Sequence, residues 1–367
     1  MARTIRDLIV LIRIIIQVLR VKITRRARPV SVNLQVTKHC NLACSYCFAD
    51  LESLATVKDP DTSEMMETID ELYRHGCRHI ILMGGEPLIR KDIGTIIRHI
   101  KNRWMRCEIV TNGYYVAQHL EDLQACDSVC VSLDGLRESN DVVRGKGCHD
   151  TVVKAMDFLH AKGIKTRIHA IITRENLHSG SMRYIAELAA RYGFAFNFSM
   201  AMLRPELRDD SIHFTEEEIQ EIIAEYRQLR MDGFPVFTSE RCLKYVAKWP
   251  KKGSYTIFEA DSLTPEEKRW VMPCNYGRYN AFLDVDGSVY KCCLTWKNGL
   301  KWREHGMQAC IDHVGRNLLH CVSCRSIGDI DRAMLLEFAS LGNLRMVWNY
   351  LFKRSGRQKA KAVRTSS

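Results

Sequence analysis

Thr37-Lys38-His39-Cys40-Asn41-Leu42-Ala43-Cys44-Ser45-Tyr46-Cys47-Phe48 places three cysteines at the spacing C-x3-C-x2-C, directly after the alternating apolar run of residues 30–37. Iron–sulfur clusters are held by thiolates. Three cysteines in one short loop can hold three corners of a four-iron cube and leave one iron without a protein ligand. An open iron is a reaction site. A structural zinc loop competes, but zinc asks for a fourth ligand, and His39 adjoins Cys40 too closely to complete a tetrahedron.

Outward from this loop the chain settles into a strand-then-helix rhythm. Strands are expected at 30–37, 79–83, 107–111, 128–133, 165–172 and 194–200, and helices at 63–75, 91–103, 116–125, 150–161, 181–191 and 215–230. Six such units predict an α/β fold, a partial (β/α)6 TIM-like barrel, whose reacting groups gather at the carboxyl ends of the strands. Gly84, Gly85, Glu86 and Pro87 stand at the second of those ends, where a glycine pair lets a ligand approach the backbone. Ser132, Asp134 and then Arg144 follow the fourth strand. On the sixth, Asn197 and Ser199 alternate with Phe194, Phe196 and Phe198, which turns the polar pair to the lumen and the aromatics to the helices. His169 reads as a satisfied packing residue ahead of a substrate contact or proton acceptor.

Together the cysteine loop, residues 84–87 and the 131–147 region resemble the radical S-adenosylmethionine (SAM) superfamily. The resemblance implies that Cys40, Cys44 and Cys47 ligate a [4Fe–4S] cluster whose free iron is chelated by the amino and carboxylate groups of SAM. It implies that residues 84–87 are the GGEP motif, whose backbone receives the SAM amino group. Ser132 and Asp134 then belong to the SAM site, Ser132 meeting the ribose or carboxylate region. Arg144 pairs with the carboxylate, a task that suits a guanidinium fork, and Tyr46 leans on the adenine. Reduction of such a cluster cleaves SAM to methionine and a 5′-deoxyadenosyl radical.

A second cysteine set, Cys274, Cys292, Cys321 and Cys324, follows the pattern C-x12-G-x4-C…C-x2-C around Gly287. Residues 282–284 and 288–291 read as a hairpin turning at Asp286-Gly287. Four thiolates close a full cluster, with a zinc ribbon as the competing reading. The pattern resembles the twitch domain, a shortened relative of the SPASM extension, and implies an auxiliary [4Fe–4S] cluster acting as an electron partner. Cys293 reads as a packed neighbour and Cys310 as a spare. Two [4Fe–4S] clusters, SAM and a flavodoxin- or ferredoxin-type reductant are the cofactors and partners implied.

The 367 residues carry a formal charge of +11 and fifteen cysteines. With no cleavage pattern of a secreted protein, this cysteine usage points to a reducing cytoplasm. The positive charge lies partly at the ends. Residues 5–23 are apolar except at Arg6, Asp7, Arg13, Gln17, Arg20 and Lys22, an amphipathic pattern followed by Arg25, Arg26 and Arg28. A transmembrane reading would place Arg13 mid-bilayer at a cost of about 2.5–3.5 kcal/mol, so the helix is expected to lie in the interface of an anionic membrane. Trp348, Tyr350, Leu351 and Phe352, at the end of a helix from 329, precede a second basic run. Both ends rank a membrane surface above nucleic acid as the anionic partner.

The expected organisation is therefore an interface helix at 1–28, a barrel at 29–235, a linker and small C-terminal cluster-binding domain at 236–328, and a helix with a basic tail at 329–367. The expected protein is peripheral on the cytoplasmic membrane face and removes hydrogen from a hydrophobic or lipid-linked substrate. A peptide-modifying maturase is the first alternative, against which stand the few residues before Cys40, short for a leader-binding domain. A non-catalytic membrane-associated iron–sulfur redox protein is the second.

Overall fold

Strand β1 (Ser31–Thr37) is buried at all seven positions, as a parallel strand covered on both faces must be. It is joined in order by β2 (His79–Gly84), β3 (Arg106–Thr111), β4 (Ser128–Ser132), β5 (Thr166–Ile172) and β6 (Ala195–Met200), every pair parallel. This computed structural model describes residues 2–47, 58–201, 214–252, 255–258, 260–292, 298–316 and 321–336. Phe48, Cys293 and the aromatic and basic tail at 337–367 lie outside the described residues.

After α1 (Ala2–Thr24), the barrel helices are α2 (Thr62–Arg74), α3 (Ile93–Asn102), α4 (Leu120–Leu123), α5 (Arg137–Arg144), α6 (Cys148–Ala161), α7 (Ser181–Tyr192) and α8 (Glu216–Met231). Two begin with reciprocal caps. Asp61 accepts from the Glu64 amide while Glu64 reaches back, and Thr215 does the same with Glu218. The helix expected at 116–125 shrinks to the single turn α4, and α5 was not expected. Its polar sequence, bracketed by Gly135 and Gly145, reads as loop, yet Val143 and Asn140 are buried against the strand ends.

Beyond the barrel come α9 (Glu240–Ala247), β7 (Thr256–Ile257), α10 (Pro265–Trp270), β8 (Asn280–Leu283), β9 (Ser288–Tyr290), β10 (Leu300–Lys301), α11 (Trp302–His305), α12 (Met307–Gly315), β11 (Ser323–Cys324) and α13 (Ile327–Leu336). The expected hairpin is present as β8–β9, but it is not set apart. Strand β8 pairs in parallel with β1, so one nine-stranded sheet runs β10-β9-β8-β1-β2-β3-β4-β5-β6. The cysteine region thus extends the barrel's own open edge. A separate antiparallel pair, β7 with β11, holds the loop of Cys321 and Cys324.

Helix α1 departs from the single apolar face its sequence suggests. Val10, Leu11, Ile14, Val18 and Val21 pack with Val30, Tyr279 and Leu335, while the opposite side leaves a row of leucines and isoleucines exposed. The polar stripe lies at the seam: Arg13 Nη2 donates to the Tyr73 hydroxyl at 2.8 Å, and Arg6 to the carbonyl of Lys101. Among the described residues no helix is long and apolar enough to cross a membrane.

Candidate functional site

Strands β1 and β2 end side by side, and the geometry of the cysteine loop follows from that. The amide of Gly85 donates to the Thr37 carbonyl and that of Glu86 to the His39 carbonyl, both at 2.8 Å. A Cβ built on Gly84 would stand 2.2 Å from the Thr37 oxygen, and one on Gly85 2.2 Å from the His39 oxygen. The glycines are therefore required by the close approach of the cysteine loop itself, a neighbour the sequence reading took to be a ligand. Gly84 also has φ of +154°, a conformation that resists a side chain.

Glu86 fixes the same corner from below. Its buried carboxylate accepts from the Thr111 hydroxyl at 2.8 Å, the Asn112 amide at 2.7 Å and the Leu88 amide at 3.0 Å. Burial nevertheless pushes it up to about 7, against the opposing pull of those donors. Pro87 opens the short turn 87–89 that lets the Leu88 amide reach back. Asn112, which the sequence reading missed, donates its side-chain amide to Asn41 at 2.8 Å inside the cysteine loop. Asp59 was missed too; it receives the Thr37 hydroxyl and the Lys38 amide. Neither belongs to a motif, so no spacing signal marks them.

Cys40, Cys44 and Cys47 are all partly accessible, and none of the described cysteines is in a disulfide. The Cys47 amide closes a tight turn onto the Cys44 carbonyl at 3.0 Å. Burial pushes the Cys44 thiol up to about 11, with the Arg144 guanidinium pulling the other way. Among the described residues no three His, Cys, Asp or Glu side chains converge closely enough to hold a single ion. A cubane, whose corners carry separate irons, asks its thiolates to stand apart, and a loop of three accessible thiols fits that demand.

On the far side of the loop, Asp134 is fully buried and gathers four donors. They are Arg144 Nε at 2.6 Å and Nη2 at 3.0 Å, the Ile171 amide at 2.8 Å, and the Tyr46 hydroxyl. The Arg144 fork thus serves an internal carboxylate, where the sequence reading gave it to SAM. Tyr46 stands beneath that guanidinium, 5.6 Å from its ring centroid, where the sequence reading placed an adenine. Desolvation by burial and the Asp134 charge hold its phenol well above its ordinary range. The three residues tie the cysteine loop to the ends of β4 and β5. Ser132 is half-buried at the end of β4, level with His169 across the ladder.

The lumen below is polar. His169 Nε2 lies 3.0 Å from the Ser199 hydroxyl, Arg167 bonds Asn197 and, at 2.6 Å, Glu108, and Gln35 donates to the Tyr290 hydroxyl at 2.7 Å. Asn197 and Ser199 face inward as the alternation predicts, and Phe196 and Phe198 pack on Tyr226 of α8. Burial brings His169 down to about 3, so it is neutral.

The second cysteine set opens towards the same mouth. Cys274 and Cys292 pack with Tyr276, Phe282 and Tyr290 and with Met83, the residue before Gly84. Cys321 hydrogen-bonds the Cys274 sulfur and brings that thiol down to about 6, and the charges of Cys274 and Cys292 act on Cys324. All four expected donors therefore share one neighbourhood, and their chemistry fits a thiolate-bound cluster. Cys310 does not join them: it is fully buried in α12, donating to the Leu300 carbonyl. Lys38, two residues before Cys40, pairs with Asp284 at 3.3 Å and so links the two cysteine regions.

Residues 34–182 match the family model of the radical SAM superfamily. The chain is 30% identical over 277 residues to mycofactocin maturase MftC of Mycolicibacterium smegmatis, a match covering 72% of this chain and 64% of that one. It is 34% identical over 155 residues to Fe-coproporphyrin III synthase of Methanosarcina barkeri, covering 41% of this chain and 38% of the relative. The chain thus spans just under two thirds of the maturase's length and less of the synthase's. Its fold superposes on Streptococcus suis SuiB bound to precursor peptide SuiA with a TM-score of 0.60 at 16% identity, over 83% of this chain and 69% of that one. The cysteine loop and the glycine-clamped strand ends lie within a radical SAM superfamily domain, residues 34–182, and the second thiol set follows it in the pattern that resembles a twitch/SPASM-like auxiliary cluster region.

Proposed function

We propose that this enzyme modifies a peptide. The observation that carries the reading is the length of the match to mycofactocin maturase: 277 residues exceed the barrel, so the likeness takes in sequence outside it, whereas the match to the porphyrin enzyme covers 41% of the chain. The polar lumen supports it. Arg167, His169, Asn197, Ser199 and Gln35 line it with hydrogen-bonding groups, a surface that suits amides and polar side chains better than a hydrocarbon tail. The lipid-linked substrate suggested by the first helix finds no support among the relatives, and the Val10, Leu11, Ile14, Val18 and Val21 side of that helix is packed on the protein.

Bound at Cys40, Cys44 and Cys47, the cluster and SAM supply a 5′-deoxyadenosyl radical. What the chain itself does is hold the loop still and keep water out. Glu86 and Asn112 fix the loop from the β2 and β3 ends, and Asp134 fixes it through Tyr46. The substrate would lose a hydrogen atom to that radical and then one electron and one proton. Cys274, Cys292, Cys321 and Cys324 would hold an auxiliary cluster supplying a one-electron acceptor, and an external flavodoxin- or ferredoxin-type carrier would take the electron on. His169, held neutral by burial and 3.0 Å from Ser199, is a hydrogen-bonding group of the lumen and too weak a base to take that proton, which passes to water.

The test is anaerobic. Reconstituted enzyme, SAM and reductant are incubated separately with a synthetic peptide library, with iron coproporphyrin III and with a lipid extract. The expected result is 5′-deoxyadenosine above the substrate-free background only with peptides, together with a defined mass loss in one of them. Turnover confined to the porphyrin or the lipid overturns the reading.

A further inference from the structure

On α1, the side turned away from the barrel carries Ile5, Leu8, Ile12, Ile16, Leu19 and Ile23, each between 43% and 81% exposed. Their spacing of three and four residues puts all six on one stripe, opposite the packed Val10, Ile14, Val18 and Val21. The helix is thus apolar on two opposite sides: one fixes it to the protein, and the other is presented outward along its whole length. Scattered exposed isoleucines need no explanation, but a continuous row of six does.

Charge decides the occupant. Residues 1–28 contain eight lysines and arginines against a single acid, Asp7. Arg20, Lys22, Arg25 and Arg26 are exposed at the margin and end of the apolar stripe. Next to the stripe, Ile9 and Arg13 share a groove with Arg103 and Trp104. Trp104 is 42% exposed, and Arg103, paired with Asp70 at 2.6 Å, is itself exposed. A tryptophan beside arginines, level with an apolar helix face, is the composition of a membrane-water boundary. A second copy seated on the same stripe would set eight cations against eight.

We propose that α1 docks the enzyme on an anionic lipid surface, with Ile5, Leu8, Ile12, Ile16, Leu19 and Ile23 in the acyl boundary and Arg20, Arg25 and Arg26 among the headgroup phosphates. The helix lies in the surface plane, and its packed side keeps the barrel in a fixed orientation to it. This reading is independent of the substrate, since a soluble peptide and a surface-bound enzyme are compatible.

The experiment uses the full-length, cluster-loaded protein in vesicle flotation, with phosphatidylcholine alone and with phosphatidylcholine mixed with phosphatidylglycerol. The protein is expected to float with the anionic vesicles, and this is lost in high salt. Arg25→Gln with Arg26→Gln should weaken partitioning about fivefold per arginine, and Ile12→Gln with Ile16→Gln should weaken it at least as much. Unchanged iron content in both variants shows that they are folded. Equal binding to neutral and anionic vesicles overturns the proposal. So does a dimer in light scattering that Ile12→Gln with Ile16→Gln dissociates. So does wild-type protein that stays unbound, which would mean that the chain's own residues 337–367 or another protein cover the stripe.

Discussion

Two glycines carry more of the site than their size suggests. At Gly84 and Gly85 there is no room for a Cβ, because carbonyls of the cysteine loop stand 2.2 Å from where it would be. Backbone cannot rotate away as a flexible side chain would, so Gly85→Ala should push the loop off the strand end. The expected outcome is loss of about half the iron, roughly four of eight atoms, with the second thiol set still loaded; iron analysis and electron paramagnetic resonance check it. Asp134 is a second such residue. Asp134→Asn removes the charge facing the fully buried Arg144, and an uncompensated buried charge costs about 3–5 kcal/mol, measurable by denaturant unfolding of the cluster-free protein. The titration of His169 makes a third case. Its folded value, lowered by burial to about 3, lies below its unfolded one. The unfolded state therefore takes up the proton first, and the stability that neutral His169 contributes is full above about pH 6.5 and is lost as pH falls towards 3. Glu86, raised to about 7, works the other way, since its contribution is lost as pH rises through 7. The clean measurement is a difference: subtracting His169→Gln from wild type should isolate a slope of up to ~1.4 kcal/mol per pH unit between about pH 6.5 and 3.

Elements were more legible in the sequence than their neighbours were. All six barrel strands fall within a residue or two of the ends expected from their apolar runs and flanking turns, because a fully buried strand leaves a dense local signal. Helix α5 left none: its sequence is polar, and what holds it is Asn140 accepting from the Asp134 amide and the Val143 carbonyl accepting from the Ser45 amide of the cysteine loop. The site divides in the same way. Cysteines announce themselves by spacing, but Asn112, Asp59 and the Asp134 grip on Arg144 are contacts between distant segments, and no period or motif encodes them. Helix α1 shows the limit most plainly. Its hydrophobic pattern fixes how much of it is apolar but not which side the barrel takes. The structure assigns Ile14 to the barrel and Ile12 to the outside, and substitution distinguishes them. Ile14→Ala should cost about 2–5 kcal/mol of stability. Ile12→Ala should stay within about 0.5 kcal/mol, both read from denaturant midpoints.

At the scale of the molecule, one sheet joins the first cysteine loop to half of the second set. Because β8 pairs with β1, the strand that leads into the Cys40 loop, and β9 turns back towards Cys292, Cys274 and Cys292 flank strands of the barrel's own sheet, while Cys321 and Cys324 sit at the separate β7–β11 pair. Lys38 and Asp284 add an ion pair between the two cysteine regions, and Met83 and Tyr290 sit where the two meet. The two sites should nonetheless load independently of one another. The β8–β1 pairing is made by backbone groups of residues 31–34 and 280–283, none of which needs the thiols of the first loop. Replacing Cys40, Cys44 and Cys47 together by alanine should therefore leave the sheet intact and about four irons per chain bound at the second set, with SAM cleavage abolished. Replacing Cys274 and Cys321 removes donors that reach the mouth through Tyr276, Phe282 and Tyr290, and should loosen that aromatic cluster as well as empty its site. In that variant reductive cleavage of SAM should persist while substrate turnover fails, since the electron left on the substrate has no nearby acceptor. Cys310→Ala, in the core of α12, should keep both iron complements and lose only packing energy. A triple alanine variant that binds no iron at all would show that the two sites assemble as one unit, and the order of loading would then have to be sought in the folding of β8 against β1.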